Sequence, residues 1–246
     1  MKKLLTVAVN EYNVAPLRGC VNDSNNVKDL CVRIGYEVTQ LLDEEATKQN
    51  IIEALTAIGK ELKSGDKLMF HYSGHGSQIP TIDPTETDNL TEILCPFDLI
   101  LPNGAWTNNF ITDDELNYIF SQYDSNVEIE CILDCCHSGT GTRDIRPHTA
   151  NRFVKAFDLT NEFKIEKFDL TKSRYIICWS GCRDDQTSAD AYIDGMYQGA
   201  FTSALLKTEG CRRLRYTRIL ELMQKYNFSQ VPQLTCNEKD IEESMF

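Results

Sequence analysis

At 246 residues the chain can bury a proper core, as one large domain or two small ones. Its formal charge of −12 and pI near 4.8 argue against a nucleic-acid binder, which would carry basic patches. The ten cysteines do not make a small secreted disulfide scaffold. Cys31, Cys131 and Cys178 sit inside apolar runs, where a free thiol packs as a small hydrophobe, so a reducing, cytoplasmic setting is expected.

The apolar run Leu4–Val9 is too short for a signal-peptide core and predicts a first strand, and no stretch approaches a membrane span. Asn22, Asp23 and Ser24 offer an N-cap to a helix carrying Val27, Leu30, Cys31 and Ile34, closed by Gly35. A strand over Tyr36–Leu41 follows, then a helix opened by Thr47 that buries Ile51, Ile52, Leu55, Ile58 and Leu62. Lys67–Tyr72 is the third strand. Residues 79–109 are polar and read as a long functional loop carrying one short strand at the apolar run Ile93–Phe97. Thr112–Glu115 has the capping-box pattern of a helix start, and Val127–Leu133 is a fourth strand. From Gly139 to about Lys172 periodicity fades and Arg143, Arg146, Arg152, Lys155, Lys164 and Lys167 accumulate, as in a mobile connection. A fifth strand (Arg174–Trp179), a polar loop to Asp190, helices over Gly199–Leu206 and Thr217–Tyr226 and an edge strand over Pro232–Thr235 complete the chain. Alternating strands and helices predict an α/β fold with a mainly parallel sheet, whose active site lies beyond the C-terminal strand ends.

Two motifs stand at such ends: His71-Tyr72-Ser73-Gly74-His75-Gly76-Ser77-Gln78 and Asp134-Cys135-Cys136-His137-Ser138-Gly139. A free thiol with pKa about 8.5 is mostly protonated at neutral pH, so a nucleophilic cysteine needs a base, and these motifs supply both. The pair points to a cysteine peptidase. Alternation at the strand end sends Cys135 and Cys136 in different directions, one of them into packing.

The chain resembles the caspase-like cysteine peptidases, and within them the metacaspases of prokaryotic or type I-like pattern. Arg18-Gly19-Cys20-Val21-Asn22-Asp23, the two motifs above, Ser180-Gly181-Cys182 with Gln186–Asp190, and Pro232-Gln233-Leu234 carry the resemblance in the family order. It implies a three-layer caspase-like sandwich in a single peptidase domain over 1–246. Residues 1–141 would be the large-subunit-like region, 142–172 the linker and 173–246 the small-subunit-like region. It further implies a catalytic dyad of His75 and Cys136, with the N–H groups of Gly76 and Cys136 stabilising the oxyanion. Cys135 would then be the packed thiol, and His71, His137 and His148 poorer bases. Cys20, Asp23, Ser73 and Asp134 match the pocket for the residue before the scissile bond. Two carboxylates there favour Arg or Lys rather than Asp. Asp23 alone could equally be a helix N-cap.

The family's calcium positions fall on Asp113, Asp114 and Asp144. Thr91 occupies a further position, with Asp88 and Glu92 nearby, so a cage needing six to eight oxygens is incomplete or rearranged. A favourable helix N-terminus accounts for Asp113 and Asp114 equally well. No cofactor is required otherwise. The basic linker suggests self-cleavage after an Arg or Lys between Arg143 and Lys172. Expected partners are protein or peptide substrates with Arg or Lys before the scissile bond, and a regulatory partner or larger parent protein, without nucleic acid or membrane. A catalytically silent caspase-like scaffold is the competing reading. A zinc site from Cys131, Cys135, Cys136 and His137 has poor spacing, since adjacent ligands do not reach separate tetrahedral vertices.

Overall fold

In this computed structural model residues 1–80, 90–136, 149–154, 175–183 and 186–246 are described. The chain runs β1 (Lys2–Ala8), α1 (Cys20–Arg33), β2 (Glu37–Leu42), α2 (Lys48–Glu61) and β3 (Lys67–Ser73). Then come β4 (Gly76–Pro80), β5 (Leu90–Leu94), β6 (Ile111–Thr112), α3 (Asp113–Ser121) and β7 (Glu128–Asp134). After β8 (Thr149–Asn151) and β9 (Ile177–Ser180) follow β10 (Ala189–Ile193), β11 (Met196–Gly199), α4 (Ala200–Leu206), α5 (Arg212–Lys225) and β12 (Gln233–Thr235). Two caps read from sequence are in place: Thr47 Oγ1 accepts from the Asn50 N–H at 3.2 Å, and Thr112 Oγ1 from that of Glu115 at 3.0 Å. The third, at Asn22–Ser24, is not, because α1 already begins at Cys20 with Gly19 as its N-cap.

Six strands form the central sheet in the order β12-β9-β7-β3-β1-β2, all parallel except the edge strand β12. Period-two alternation makes it the middle of three layers. Leu5, Val7, Phe70, Ile129 and Cys131 share one core with Ile51, Leu55, Leu116 and Phe120 of α2 and α3. Leu4, Met69, Ile132 and Trp179 share the other with Val27, Phe201, Ile219 and Met223 of α1, α4 and α5. Because β2 and β3 flank β1 on opposite sides, right-handed crossovers send α1 and α2 to opposite faces. That reversal of direction opens a crevice at the C-terminal ends of β1 and β3, where α/β sheets bind ligands. Among the described residues no helix is long and apolar enough to cross a membrane.

Three expectations are corrected. The short strand expected within 79–109 is β5, ending at Leu94, and it is the middle of a second sheet, antiparallel to β4 on one side and to β6 on the other. The basic connection contains a strand, β8, antiparallel to β10. Helix α5 begins at Arg212 rather than Thr217, with Arg212 and Arg215 of its first turn buried.

Candidate active site

His75 follows β3 on a turn held by two tyrosines. Its backbone N–H donates to Tyr12 Oη at 2.9 Å, and Tyr72 Oη donates to its carbonyl at 2.7 Å. Tyr12 Oη in turn donates to the Cys95 carbonyl at 2.8 Å, and its ring packs 4.5 Å from the imidazole. The imidazole Nε2 lies 2.6 Å from the Ala15 carbonyl oxygen, at a residue with φ 54°. A carbonyl only accepts, so Nε2 carries the proton and Nδ1 keeps the lone pair of a base. Nδ1 is buried, and among the described residues no side chain or backbone group makes a hydrogen bond to it. Burial lowers the His75 pKa to about 4, opposed by the Ala15 carbonyl, so the ring is neutral at pH 7.

Cys136 lies just past β7, whose Asp134 pairs in register with Ser73 of β3. Its thiol is buried, accepts from the Ser188 N–H and lies 3.6 Å from the Ser188 carbonyl oxygen, not on the His75 ring. Such pairs often tighten only as reaction begins. Cys135 is packed in the apolar core. Gly76 admits no side chain, since a Cβ there would stand 2.2 Å from the Cys136 carbonyl oxygen. His71 is buried in β3 with Nδ1 on Thr6 Oγ1 at 2.8 Å.

Cys20, Asp23, Ser73 and Asp134 are all fully buried at one place, and Arg152 fills it. Its Nη2 donates to Asp23 Oδ2 at 2.7 Å and to Asp190 Oδ1 at 3.1 Å. Its Nη1 donates to Ser73 Oγ at 2.7 Å and to the Asp134 carbonyl at 3.1 Å, with Asp134 Oδ1 at 3.3 Å. The carboxylates are held by further donors: Gly199 N–H to Asp23, Ser188 Oγ and Thr202 Oγ1 to Asp134, and Arg18 N–H to Asp190. Asp23 is therefore no N-cap. Gly19 holds that position and the Asp23 carboxylate is spent in the pocket. Burial raises the Asp23 pKa to about 7, with Arg152 opposing and Asp134 adding to the rise. Burial works against the charge of Arg152, but the carboxylates of Asp134, Asp23 and Asp190 hold it.

The backbone around Arg152 lies as a peptide would across the same groove. Strand β8 pairs with β10, Asn151 opposite Ala189, and the Arg152 N–H donates to the Ser188 carbonyl at 3.0 Å. The Arg152 carbonyl oxygen accepts from the Gly76 N–H at 3.0 Å and the Cys136 N–H at 3.3 Å. These are the two donors the resemblance assigns to the oxyanion. One side chain in the acidic pocket, its carbonyl between two amides and a thiol on the same residue as one amide form a geometry for acyl transfer.

Tyr12, Ala15, Ser188 and Asp190 belong to this site and were not read from sequence as site residues. Asp190 carried a signal, as the charged end of Gln186–Asp190 in a strand whose neighbours Ala189 and Ala191 face the core. Asp113 and Asp114 occupy the first turn of α3, while Asp88 and Asp144 lie outside the described residues. Among the described residues no three His, Cys, Asp or Glu side chains gather as a metal site. His137, His148, Arg143, Arg146, Lys155, Lys164 and Lys167 also lie outside the described residues.

Residues 2–143 match the family model described as "Metacaspase, peptidase C14 domain". Metacaspase-1A of Aspergillus oryzae is 31% identical, over 96% of this chain and 68% of its own length. Metacaspase-1A of Aspergillus niger is 30% identical, over 96% and 70%. The crystal structure of a Geobacter sulfurreducens protein superposes with a TM-score of 0.75 at 26% identity, covering 100% of this chain and 98% of that one. Caspase-1 of Spodoptera frugiperda, at 14% identity and a TM-score of 0.61 over 95% and 85%, shares the fold. The three-layer α/β architecture is thus caspase-like, and the chain belongs to the metacaspases, a family of cysteine-type endopeptidases.

Proposed function

We propose that this metacaspase hydrolyses peptide bonds after arginine, and less readily after lysine, and that its own Arg152–Phe153 bond is a substrate in cis. The observation that carries this reading is Arg152, its guanidinium among Asp23, Asp134 and Asp190 and its carbonyl on the Gly76 and Cys136 amides. Each terminal nitrogen of the fork has its own acceptors, which the single ammonium of lysine does not match.

His75 Nδ1 takes the thiol proton and the Cys136 thiolate attacks the carbonyl carbon. The C–S bond forms as the carbonyl electrons move to the oxygen facing the two amides. Collapse of that adduct breaks the bond to the Phe153 nitrogen, which leaves with the proton from Nδ1. Water, deprotonated by the same nitrogen, then attacks the thioester and releases the arginine carboxylate and the thiol. Through these steps the Ala15 carbonyl stabilises the imidazolium by accepting from Nε2.

Intact masses of the purified chain and its Cys136→Ala variant test this directly. A cut between Arg152 and Phe153 in the first alone is the expected result, with turnover of fluorogenic Thr-Ala-Asn-Arg exceeding its Lys counterpart and that of its Asp counterpart absent. Uncut chain and no turnover of any peptide would leave a silent caspase-like scaffold instead.

A further inference from the structure

The ordered contacts of the seated segment do not stop at the scissile bond. Gly76, which donates to the Arg152 carbonyl, also accepts from the Val154 N–H at 3.3 Å, and Phe153 forms a parallel bridge with it. One glycine thereby holds the chain on both sides of the bond to be cut. Gly76 opens β4, whose other edge is taken by β5, with Gly76 opposite Leu94. The segment therefore extends this small sheet as it leaves the catalytic groove.

Side chains alternate along it as on any extended strand. Arg152 is fully buried in the acidic pocket, Phe153 is half-buried, and Val154 turns inward to 8% exposure. Val154 belongs to the apolar cluster that includes Ile79 of β4, Ile93 and Leu94 of β5 and Ile111 of β6. A second anchor thus stands two residues beyond the first, apolar where the first is acidic.

We propose that this edge is a subsite for the leaving side of substrates, taking an extended chain with a β-branched or other apolar residue second after the cut. The inference rests on the peptidase reading above and deepens it. Val154 is the cis occupant, and a substrate from another chain would place its own apolar residue in the same seat. An acidic residue there would be buried without a partner, which is unfavourable.

The test uses the full wild-type chain and internally quenched peptides of the sequence His-Thr-Ala-Asn-Arg-Phe-Val-Lys-Ala, residues 148–156. Counterparts carry Val154→Ile, Val154→Gly or Val154→Asp, so that no substitution alters the fold of the enzyme. The Ile peptide should match the parent, with kcat/KM falling about threefold for Gly and about tenfold or more for Asp. Equal kcat/KM for all four would overturn the subsite, as would turnover of a fluorogenic Thr-Ala-Asn-Arg peptide while the parent nonapeptide stays intact. Silence with every peptide, the fluorogenic one included, would instead overturn the peptidase reading beneath it.

Discussion

The Ala15 carbonyl that holds the Nε2 side of His75 belongs to the backbone, so substitution reaches the geometry of this imidazole, the base of the proposed mechanism, through Tyr12. Tyr12→Phe keeps the ring beside the imidazole but removes the oxygen that accepts the His75 N–H and the hydroxyl that binds the Cys95 carbonyl. Leaving such buried groups unpaired costs about 1–3 kcal/mol of stability. A base displaced by a fraction of an ångström should lose about tenfold or more in kcat with KM little changed. Steady-state kinetics beside a thermal melt separates the two, and an unchanged kcat in a destabilised protein would make Tyr12 merely structural. His75 and Cys136 were legible because each stands within a short contiguous motif at a strand end. Tyr12, Ala15 and Asp190 were not, because each reaches the site across sixty or so residues or from another strand, a proximity that only the folded sheet creates.

At the level of elements, α5 shows where sequence patterning gives out. Its first turn carries Arg212, Arg213 and Arg215, ahead of the Thr217 start expected from sequence, and Arg212 is fully buried. Its Nη2 and Nε donate to Glu130 Oε2 and Oε1 at 2.8 and 3.0 Å, and the Trp179 indole also donates to Oε1 at 2.7 Å. This cluster docks α5 against Glu130 in the N-terminal half of β7 and Trp179 of β9, away from the C-terminal end of β7 that leads to Cys136. Burial raises the Glu130 pKa against the pull of Arg212. Arg212→Met strands a buried carboxylate and should cost about 3–5 kcal/mol. Adding Glu130→Gln removes the stranded charge while leaving an acceptor for Trp179, and should restore a large part of that loss. Denaturant midpoints of both variants measure it, and a double variant no better than the single would refute the account. Strands β1, β3 and β7 of the central sheet were readable because each carries an apolar run bounded by turn or polar residues. The β10–β11 hairpin was missed despite its Asp194-Gly195 turn, where both residues have positive φ (51° and 92°). Strand β8 had no local signal at all: Thr-Ala-Asn is extended because β10 and the pocket hold it.

The whole molecule seats its own arginine among three carboxylates taken from α1, β7 and β10, so the seat depends on protons. An acid with a raised pKa keeps its proton at every pH below that value. With Asp23 raised to about 7, chiefly by burial, the carboxylate becomes neutral as pH falls through 7 and its charge-assisted bond to Arg152 weakens. A base with a lowered pKa behaves oppositely. His75, lowered to about 4 by burial, stays neutral and able to accept a proton far below pH 7, so it contributes no loss of rate there. Self-cleavage at Arg152–Phe153 should therefore slow as pH drops below about 7, by up to about tenfold per unit, with the carboxylate cluster as its cause. The Asp23→Asn chain should cleave slowly throughout and lack that limb, because nothing at position 23 titrates. Fragment appearance by intact mass between about pH 5 and 8 reads both profiles. A limb near pH 7 that survives unchanged in Asp23→Asn would return the titration to another group and detach the pocket from the pH response of the enzyme.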